Sequence, residues 1–434
     1  MTAIISTPFR IENAKAFKES FVTEPTYIGV GRIAPWVPTD NSPTASDSNP
    51  PTPVDSLVEI KEFYRQLIGL KRVQTGDVSL MIPRYNWSSG TTYTQYNYHD
   101  GNLNATNFYV FISDSSSQNY LHVYKCLENN GGGSSTVEPA GTSTGIIGPL
   151  GDGYKWKFMF KISQGDYAKY ATANFLPVSE VTTNDGSLQF LTQQSAIEGT
   201  IYGVNVVDGG SGYSSVPVIT VLSGDGIGFA ATATISGGEV TKVTVTNAGS
   251  GYSYINLMIG GNAVILANIS PSGGHGKNAI MELGAFYISI SSTFESNEGG
   301  ILTVTNDTRS TMIIRNPTDQ SDTPLTTSVV NGVTKLSLNG ISGVFLVDET
   351  ITSFDGTTGQ IVDIGIDELS ITNIKGVFVA GVVTGNISLA SGTVTITVPS
   401  EVKMNSGDVL YVETRKPIIR DISQSERFNV VIQW

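Results

Sequence analysis

Two internal repeats limit what this chain can fold into more than any other feature. Val207-Asp-Gly-Gly-Ser-Gly-Tyr213 returns 39 residues later as Thr246-Asn-Ala-Gly-Ser-Gly-Tyr252. Gly343-Val-Phe-Leu-Val347 returns 33 residues later as Gly376-Val-Phe-Val-Ala380. Each copy of the first motif follows a valine-rich stretch, at 204–207 and 243–245. A unit this short cannot bury an apolar face by itself, so its copies must pack on one another. The glycines suit tight turns at positive φ, and each tyrosine can cover a neighbouring strand. Residues 199–278 and 319–400 are therefore expected to form two compact β modules built from repeated hairpins.

The rest of the composition agrees with a β-rich chain. Only 15% of the 434 residues are charged, 39% are hydrophobic and 47 are glycine. That is too apolar for disorder and lacks the Gly-X-Y period of collagen. The net charge of −13 and the absence of a Lys/Arg run longer than Lys71-Arg72 argue against nucleic-acid binding. Close to half of that charge lies in the second module. There Asp319, Asp322, Asp348, Glu349, Asp355, Asp363, Asp367 and Glu368 face only Lys335 and Lys375. A single cysteine, Cys126, excludes an intrachain disulfide and a Cys-cluster zinc site. The start shows no charged n-region followed by an apolar h-region, and no apolar stretch is long enough to span a bilayer. The expectation is a soluble chain made in a reducing compartment, without membrane association.

Outside the modules the pattern predicts strands with few helices. A short helix is expected around 11–21, then an extended, proline-rich surface segment over 35–53. Ser56 and Glu59 form a capping-box pair ahead of Leu57, Ile60, Tyr64 and Leu67 at helical spacing, with Gly69 as the stop. Strands are expected at 108–112 and 120–124. Another, over 154–160, carries Tyr154, Trp156, Phe158 and Phe160 on one buried face. The segment 407–434 alternates again and ends on a strand expected to be built into a sheet.

Candidate chemistry is sparse. The only histidines are His99, His122 and His275. His122 and Cys126 lie four apart on a predicted strand, with Tyr124 between them, too far apart for a nucleophilic pair. Ser272-Gly-Gly-His-Gly-Lys-Asn278 departs from a phosphate loop at its first glycine and its final hydroxyl, and reads as a linker leaving the first module. Asp152, Asp225 and Asp355 adjoin glycines and read as turn residues. Trp36, Trp87 and Trp156 could line a sugar site, but such residues more often anchor cores or interfaces. The stretch from Tyr93 to Tyr98 reads as an exposed, tyrosine-rich surface. No cofactor and no metal are expected; calcium in the Gly-rich turns is the weaker alternative, since the nonapeptide register is absent.

Several segments, in order, resemble the T-even phage baseplate wedge subunit family known as gene product eight. Ile28-Gly-Val-Gly-Arg-Ile-Ala-Pro-Trp36 is similar to its Gly-Arg-x-x-Pro-Trp, and Ile82-Pro-Arg-Tyr-Asn-Trp87 to its Ile-Pro-Arg-x-x-Trp. Val123-Tyr-Lys-Cys-Leu127 and Gly151-Asp-Gly-Tyr-Lys-Trp156 resemble its Val-Tyr-Arg-Cys-Leu and Gly-Asp-Gly-Tyr-x-Trp. Met312-Ile-Ile-Arg-Asn-Pro317 and Gly407-Asp-Val-Leu-Tyr-Val-Glu-Thr-Arg-Lys-Pro-Ile-Ile419 resemble later family stretches. The likeness covers 1–198, 279–318 and 401–434. The two repeat-bearing modules depart from it and look like Gly-rich β modules of cyanophage-like structural proteins. The resemblance implies a β-sandwich core with short helices in loops and two inserted β modules. It also implies a non-catalytic homodimer that joins other wedge proteins in the virion tail baseplate, assembled in the host cytoplasm. Glycan binding by the modules is the competing reading. The motif positions taken as structural or interface candidates are Gly31, Arg32, Pro35, Trp36, Pro83, Arg84, Trp87, Gly153, Tyr154, Trp156, Tyr411, Glu413, Arg415 and Pro417.

Overall fold

A computed structural model describes residues 4–303 and 306–434. Positions 1–3 and 304–305, which fall in the expected core segments 1–198 and 279–318, lie outside the described residues. The fold is mainly β, with short helices between strands. The chain divides into two compact units, each assembled from separated segments. The first holds Met1–Ala16, Ser79–Ser289 and Val431–Trp434, and the second Phe17–Val78 and Ile290–Val430.

The first unit contains a four-stranded antiparallel sheet in the order Tyr109–Phe111, His122–Asn129, Tyr154–Lys161, Ile146–Ile147. Its aromatic face packs Tyr93, Tyr124, Tyr154, Trp156 and Phe158 with Val110, Ile112 and Cys126. The expectation of one buried face on Tyr154–Lys161 is corrected here. Lys155, Lys157 and Met159, on the opposite face, are buried as well. Lysines at alternate positions normally mark a solvent face. These two go inside because carboxylate and carbonyl groups from distant parts of the unit meet them.

Residues 201–269 fold into three nested antiparallel pairs. Ile201–Asp208 pairs with Val264–Ile269, Ile219–Gly224 with Ile255–Ile259, and Ile227–Ser236 with Glu239–Ser250. The 39-residue repeat explains the nesting, because each copy supplies three strands and the copies exchange them. The first strand of each copy pairs with the third strand of the other, and the two middle strands pair together. The exchange shows in two equivalent hydrogen bonds, Tyr213 N to Gly238 O at 3.0 Å and Tyr252 N to Gly199 O at 3.2 Å. Both repeat tyrosines act as expected. Tyr213 Oη accepts from Asn262 N and Ala263 N, and Tyr252 Oη from Phe229 N.

The second unit contains a five-stranded antiparallel sheet in the order Val329–Asn331, Leu67–Arg72, Thr26–Gly31, Thr308–Arg315, Asp408–Ile418. Its core joins Tyr27, Leu67, Leu70, Met312 and Ile314 to Phe63 and Tyr64 of the helix Leu57–Arg65. Ser56 caps that helix, accepting from Glu59 N at 3.3 Å. Glu59 itself turns to Val54 N at 3.0 Å. The helix ends at Arg65, not at Gly69. Gln66 N bonds back to Glu62 O and Phe63 O, and Leu67 enters the sheet. Gly69 is a strand residue whose missing side chain makes room for Leu302; a Cβ there would lie 1.9 Å from Leu302 Cδ2.

A closed six-stranded barrel completes this unit, in the order Thr334–Ser342, Glu368–Lys375, Thr358–Gly365, Thr350–Ser353, Gly381–Gly385, Ser391–Val398. Its core is Leu336, Phe345, Ile351, Ile361, Ile371, Phe378 and Val383, among others. The 33-residue repeat again gives three strands per copy with the same exchange. The third strand of each copy pairs with the first of the other. The two middle strands also pair. The two modules share these exchanged pairings, but the barrel closes by also pairing the second and third strands within each copy and the two first strands with each other.

Candidate functional site

In the second unit, motif residues far apart in sequence meet. Arg32, held at φ 54°, lays its guanidinium 3.8 Å from the Trp36 ring centre. It donates to Gln66 Oε1 at 3.2 Å and Pro35 O at 3.1 Å. Gly31 is required beside it, since a Cβ would sit 2.4 Å from Gln66 O. Trp36 Nε1 donates to Arg415 O at 2.9 Å, fixing the 35–53 segment to the strand Asp408–Ile418. On that strand Glu413 Oε2 receives Tyr411 Oη at 3.0 Å and Arg415 Nη2 at 2.9 Å. Pro417 lies further along the same strand, half-buried.

The proline-rich segment is not simply extended. Two tight bridges, Thr39↔Ser42 and Ser46↔Asn49, fold it into a strap, with Ala45 buried. Its anchor is Asp47, which accepts from Trp36 N at 2.9 Å and from Arg309 twice, at 3.0 and 2.9 Å. This two-toothed carboxylate–guanidinium pairing fixes orientation as well as position. Arg309 also donates to Ile33 O. Burial, then the neighbouring Arg309, pushes Arg32 down to about 10, so it stays charged at neutral pH. The strap and the helix Leu57–Arg65 border a cleft of about 560 Å³ lined by Arg32, Trp36, Ala45, Glu59 and Phe63.

Arg309 holds the Asp47 carboxyl below the ordinary aspartate value. A depressed carboxyl contributes stability above its unfolded pKa and loses it as pH falls through the folded one. Protease cleavage within 37–55 is therefore expected to rise as pH drops below about 4. Asp47→Asn should cleave readily at neutral pH and lose that acid dependence.

In the first unit, Arg84 donates to Asn86 Oδ1 at 2.9 Å and Thr172 O at 3.0 Å and lies over the Phe111 ring. Pro83 O accepts from Tyr109 Oη at 2.6 Å. Trp87 Nε1 donates to Ser135 Oγ at 3.1 Å. Tyr154 stacks on Trp156 with centroids 5.4 Å apart and donates to Gly133 O at 2.6 Å. Burial pushes its phenol up to about 12. Gly153, at φ 82°, leaves no room for a Cβ beside Asn130. Asp152 is a turn residue, as expected. Burial raises its carboxyl, but bonds from Val137 N, Thr136 N and Tyr154 N outweigh that and lower it.

The structure also brings together residues that the sequence left apart. Lys125 Nζ, fully buried, donates to Glu282 Oε2 at 2.8 Å and His275 Nδ1 at 3.1 Å, over the Tyr96 ring. Glu282 Oε1 also accepts from Gly276 N at 2.8 Å and Asn278 N at 3.1 Å. The 272–278 segment is thus a buried tie, not a plain linker. Burial holds His275 well below its ordinary value, with Lys125 and Lys157 adding to the effect. Tyr93 and Tyr96 are buried too, which corrects the exposed surface expected over 93–98; only Tyr98 is substantially exposed. The sequence signal for this cluster was indirect: lysines inside two apolar, aromatic strands, Lys125 on His122–Asn129 and Lys157 on Tyr154–Lys161.

Neither Cys126 nor His122 is poised for nucleophilic chemistry. Burial pushes the Cys126 thiol well up and brings His122 down to about 4. Among the described residues, no group of three or more His, Cys, Asp or Glu stands close enough to hold a metal, and no helix is long and apolar enough to cross a membrane.

The fold and the motif constellations define a β-rich scaffold whose signature residues tie remote segments together. Comparison with known proteins shows what part of the chain resembles. Residues 3–136 match the family model described as Bacteriophage T4, Gp8. The chain is also 24% identical over 238 residues to the baseplate wedge protein gp8 of Enterobacteria phage T4, covering 46% of this chain and 70% of that protein.

Proposed function

We propose that the chain is a structural, non-catalytic subunit of the baseplate wedge of a contractile-tailed phage. It is assembled in the host cytoplasm and carried in the virion. The observation that carries this reading is the family match over 3–136, which contains Gly31, Arg32, Pro35 and Trp36 of the strap anchor and Pro83, Arg84 and Trp87 of the aromatic unit. Their distant partners, Arg415 and Ser135, fit a framework that holds segments rigidly. The subunit would act as a homodimer, linking neighbouring wedge proteins during assembly and the rearrangement that triggers sheath contraction. The test is sedimentation of the purified chain, alone and with co-expressed wedge proteins of its own phage. A stable dimer that enters a larger complex is expected. A monodisperse monomer that binds none of them would overturn the proposal. Glycan binding by the modules has less support, since the repeat tyrosines Tyr213 and Tyr252 are engaged by backbone N–H groups within the module, and Tyr93 and Tyr96 of the core are buried.

The two modules are proposed as insertions decorating the wedge. Their ends lie together. Ser270 N donates to Thr200 O at 2.8 Å, Glu401 N to Asn331 O at 3.0 Å, and Lys403 N to Thr318 O at 2.8 Å. The first excision should span 201–269, because His275 and Asn278 belong to the buried tie. Replacing 201–269 with a short Gly-Ser bridge is expected to leave dimerisation intact by light scattering. Removing 199–278 instead should cost cooperative unfolding, because it strips partners from Lys125 and Glu282.

A further inference from the structure

The barrel exposes aliphatic side chains at its loops. Val344 and Leu346 are 78% and 45% exposed on either side of the buried Phe345. On the loop 386–390, Ile387 and Leu389 are 71% and 76% exposed. Glu349, itself buried, ties these two loops together. Its carboxylate accepts from Leu346 N at 2.7 Å, Ile387 N at 3.1 Å, Ser388 N at 2.9 Å and Ser388 Oγ at 2.7 Å. Gly343 lies against Ala390, where a Cβ would come within 3.1 Å of Ala390 Cα. The four aliphatic side chains therefore project from a pair of loops already fixed in place, which lowers the entropy cost of docking.

The internal duplication supplies a second argument. The exposed–buried–exposed pattern of 344–346 returns at Val377, Phe378 and Val379, and Ile387 stands where the other copy has Phe354, also exposed. The copies have drifted in sequence yet keep apolar side chains at these exposed positions. Recurrent exposed apolar groups mark contact surfaces. Charge narrows the occupant. Neither loop contains Lys or Arg, while both Asp348 and the ionised Glu349 sit in 343–349. Two copies of this surface meeting face to face would oppose their Asp348 carboxylates, which is unfavourable.

We propose that the loops 343–349 and 386–390 form a docking surface for a different protein, whose apolar side chains at the contact are flanked by Lys or Arg. The proposal rests on the wedge reading, and the experiment separates the two. Hydroxyl-radical footprinting compares the isolated full chain with purified virions of the phage that encodes it, and carbodiimide joins Asp348 to any lysine amine in contact. The expected result is loss of labelling at Leu346, Ile387 and Leu389 in virions and a cross-link from Asp348 to a lysine of another polypeptide. Val344→Ser/Leu389→Ser should weaken binding of that polypeptide by about tenfold or more, while Val218→Ser, at an exposed position of the other module, leaves it unchanged. Labelling as in the free chain, or a cross-link only to a second copy, overturns the proposal and leaves the wedge reading standing. Absence of the chain from virions overturns the wedge reading itself.

Discussion

Replacing Glu282 with alanine lowers the free energy of unfolding by about 3–5 kcal/mol. The carboxylate and Lys125 are both removed from water, with side chains 2% and 0% exposed. Breaking such a pair leaves a buried charge with no counter-ion, and that penalty exceeds the net value of the pair itself. Two backbone donors, Gly276 N and Asn278 N, would also lose their acceptor. Glu282→Gln should fall between wild type and alanine, because the amide oxygen can still accept. Lys125→Met combined with Glu282→Gln should recover most of the loss, since neither charge then remains buried. Urea denaturation of the four proteins checks this. A double variant no more stable than Glu282→Gln would show that removing the second charge recovers nothing and that the two side chains are not coupled.

The same cluster sets an acid limit. His275 is neutral in the fold because burial disfavours the imidazolium and the charges of Lys125, which donates to its Nδ1, and Lys157 add to the effect. Its folded pKa lies below the ordinary value of 6.5, so the unfolded chain binds a proton that the fold does not. Stability is complete above about 6.5 and declines as pH falls below it. His275→Gln should flatten that slope in thermal melts between about pH 6.5 and 5.

The second large effect belongs to Gly199. It sits at φ 65°, and a Cβ would lie 2.1 Å from Tyr252 N and 2.6 Å from Gly251 C. The obstruction is backbone, which cannot swing aside as a side chain would. Gly199→Ala combines left-handed strain of about 1–2 kcal/mol with overpacking of about 1–3 kcal/mol. The repeat-equivalent glycine, Gly238, is at φ 82° with nothing closer than 3.7 Å to a Cβ. Gly238→Ala should therefore cost only the backbone strain. Hydrogen exchange at Tyr252 N, which bonds to Gly199 O, should accelerate in the first variant and stay near wild type in the second. Equal effects would mean that the close approach at Gly199 relaxes without cost.

Local chemistry was readable from residue order. Recurrence at 39 and 33 residues marked two duplicated β modules. Ser56 and Glu59 marked the start of a helix, since capping involves neighbours three residues apart. The aspartates beside glycines proved to be turn residues, as with Asp225, which accepts from Ser253 N and Tyr254 N. Gly69 misled because a glycine needed for close packing looks the same in sequence as one that ends a helix.

Residue order alone carries the presence of paired copies, their strand-forming character and the motif positions that resemble the phage family. Each is a property of residues near one another, or of two matching strings. How the copies combine follows from long-range packing instead. A repeat implies two alike units but not the exchange of first and third strands between them, because pairing each first strand within its own copy would satisfy the same pattern. That packing also decided that Lys125 and Lys157 go inside. Burying a lysine is unfavourable until a carboxylate 157 residues away is brought within 2.8 Å of Lys125. In the same way, Trp36 became an anchor only when the Arg415 carbonyl, 379 residues away, came within reach of its indole N–H. Pairings at such separations depend on the completed fold, since no local preference places the partner.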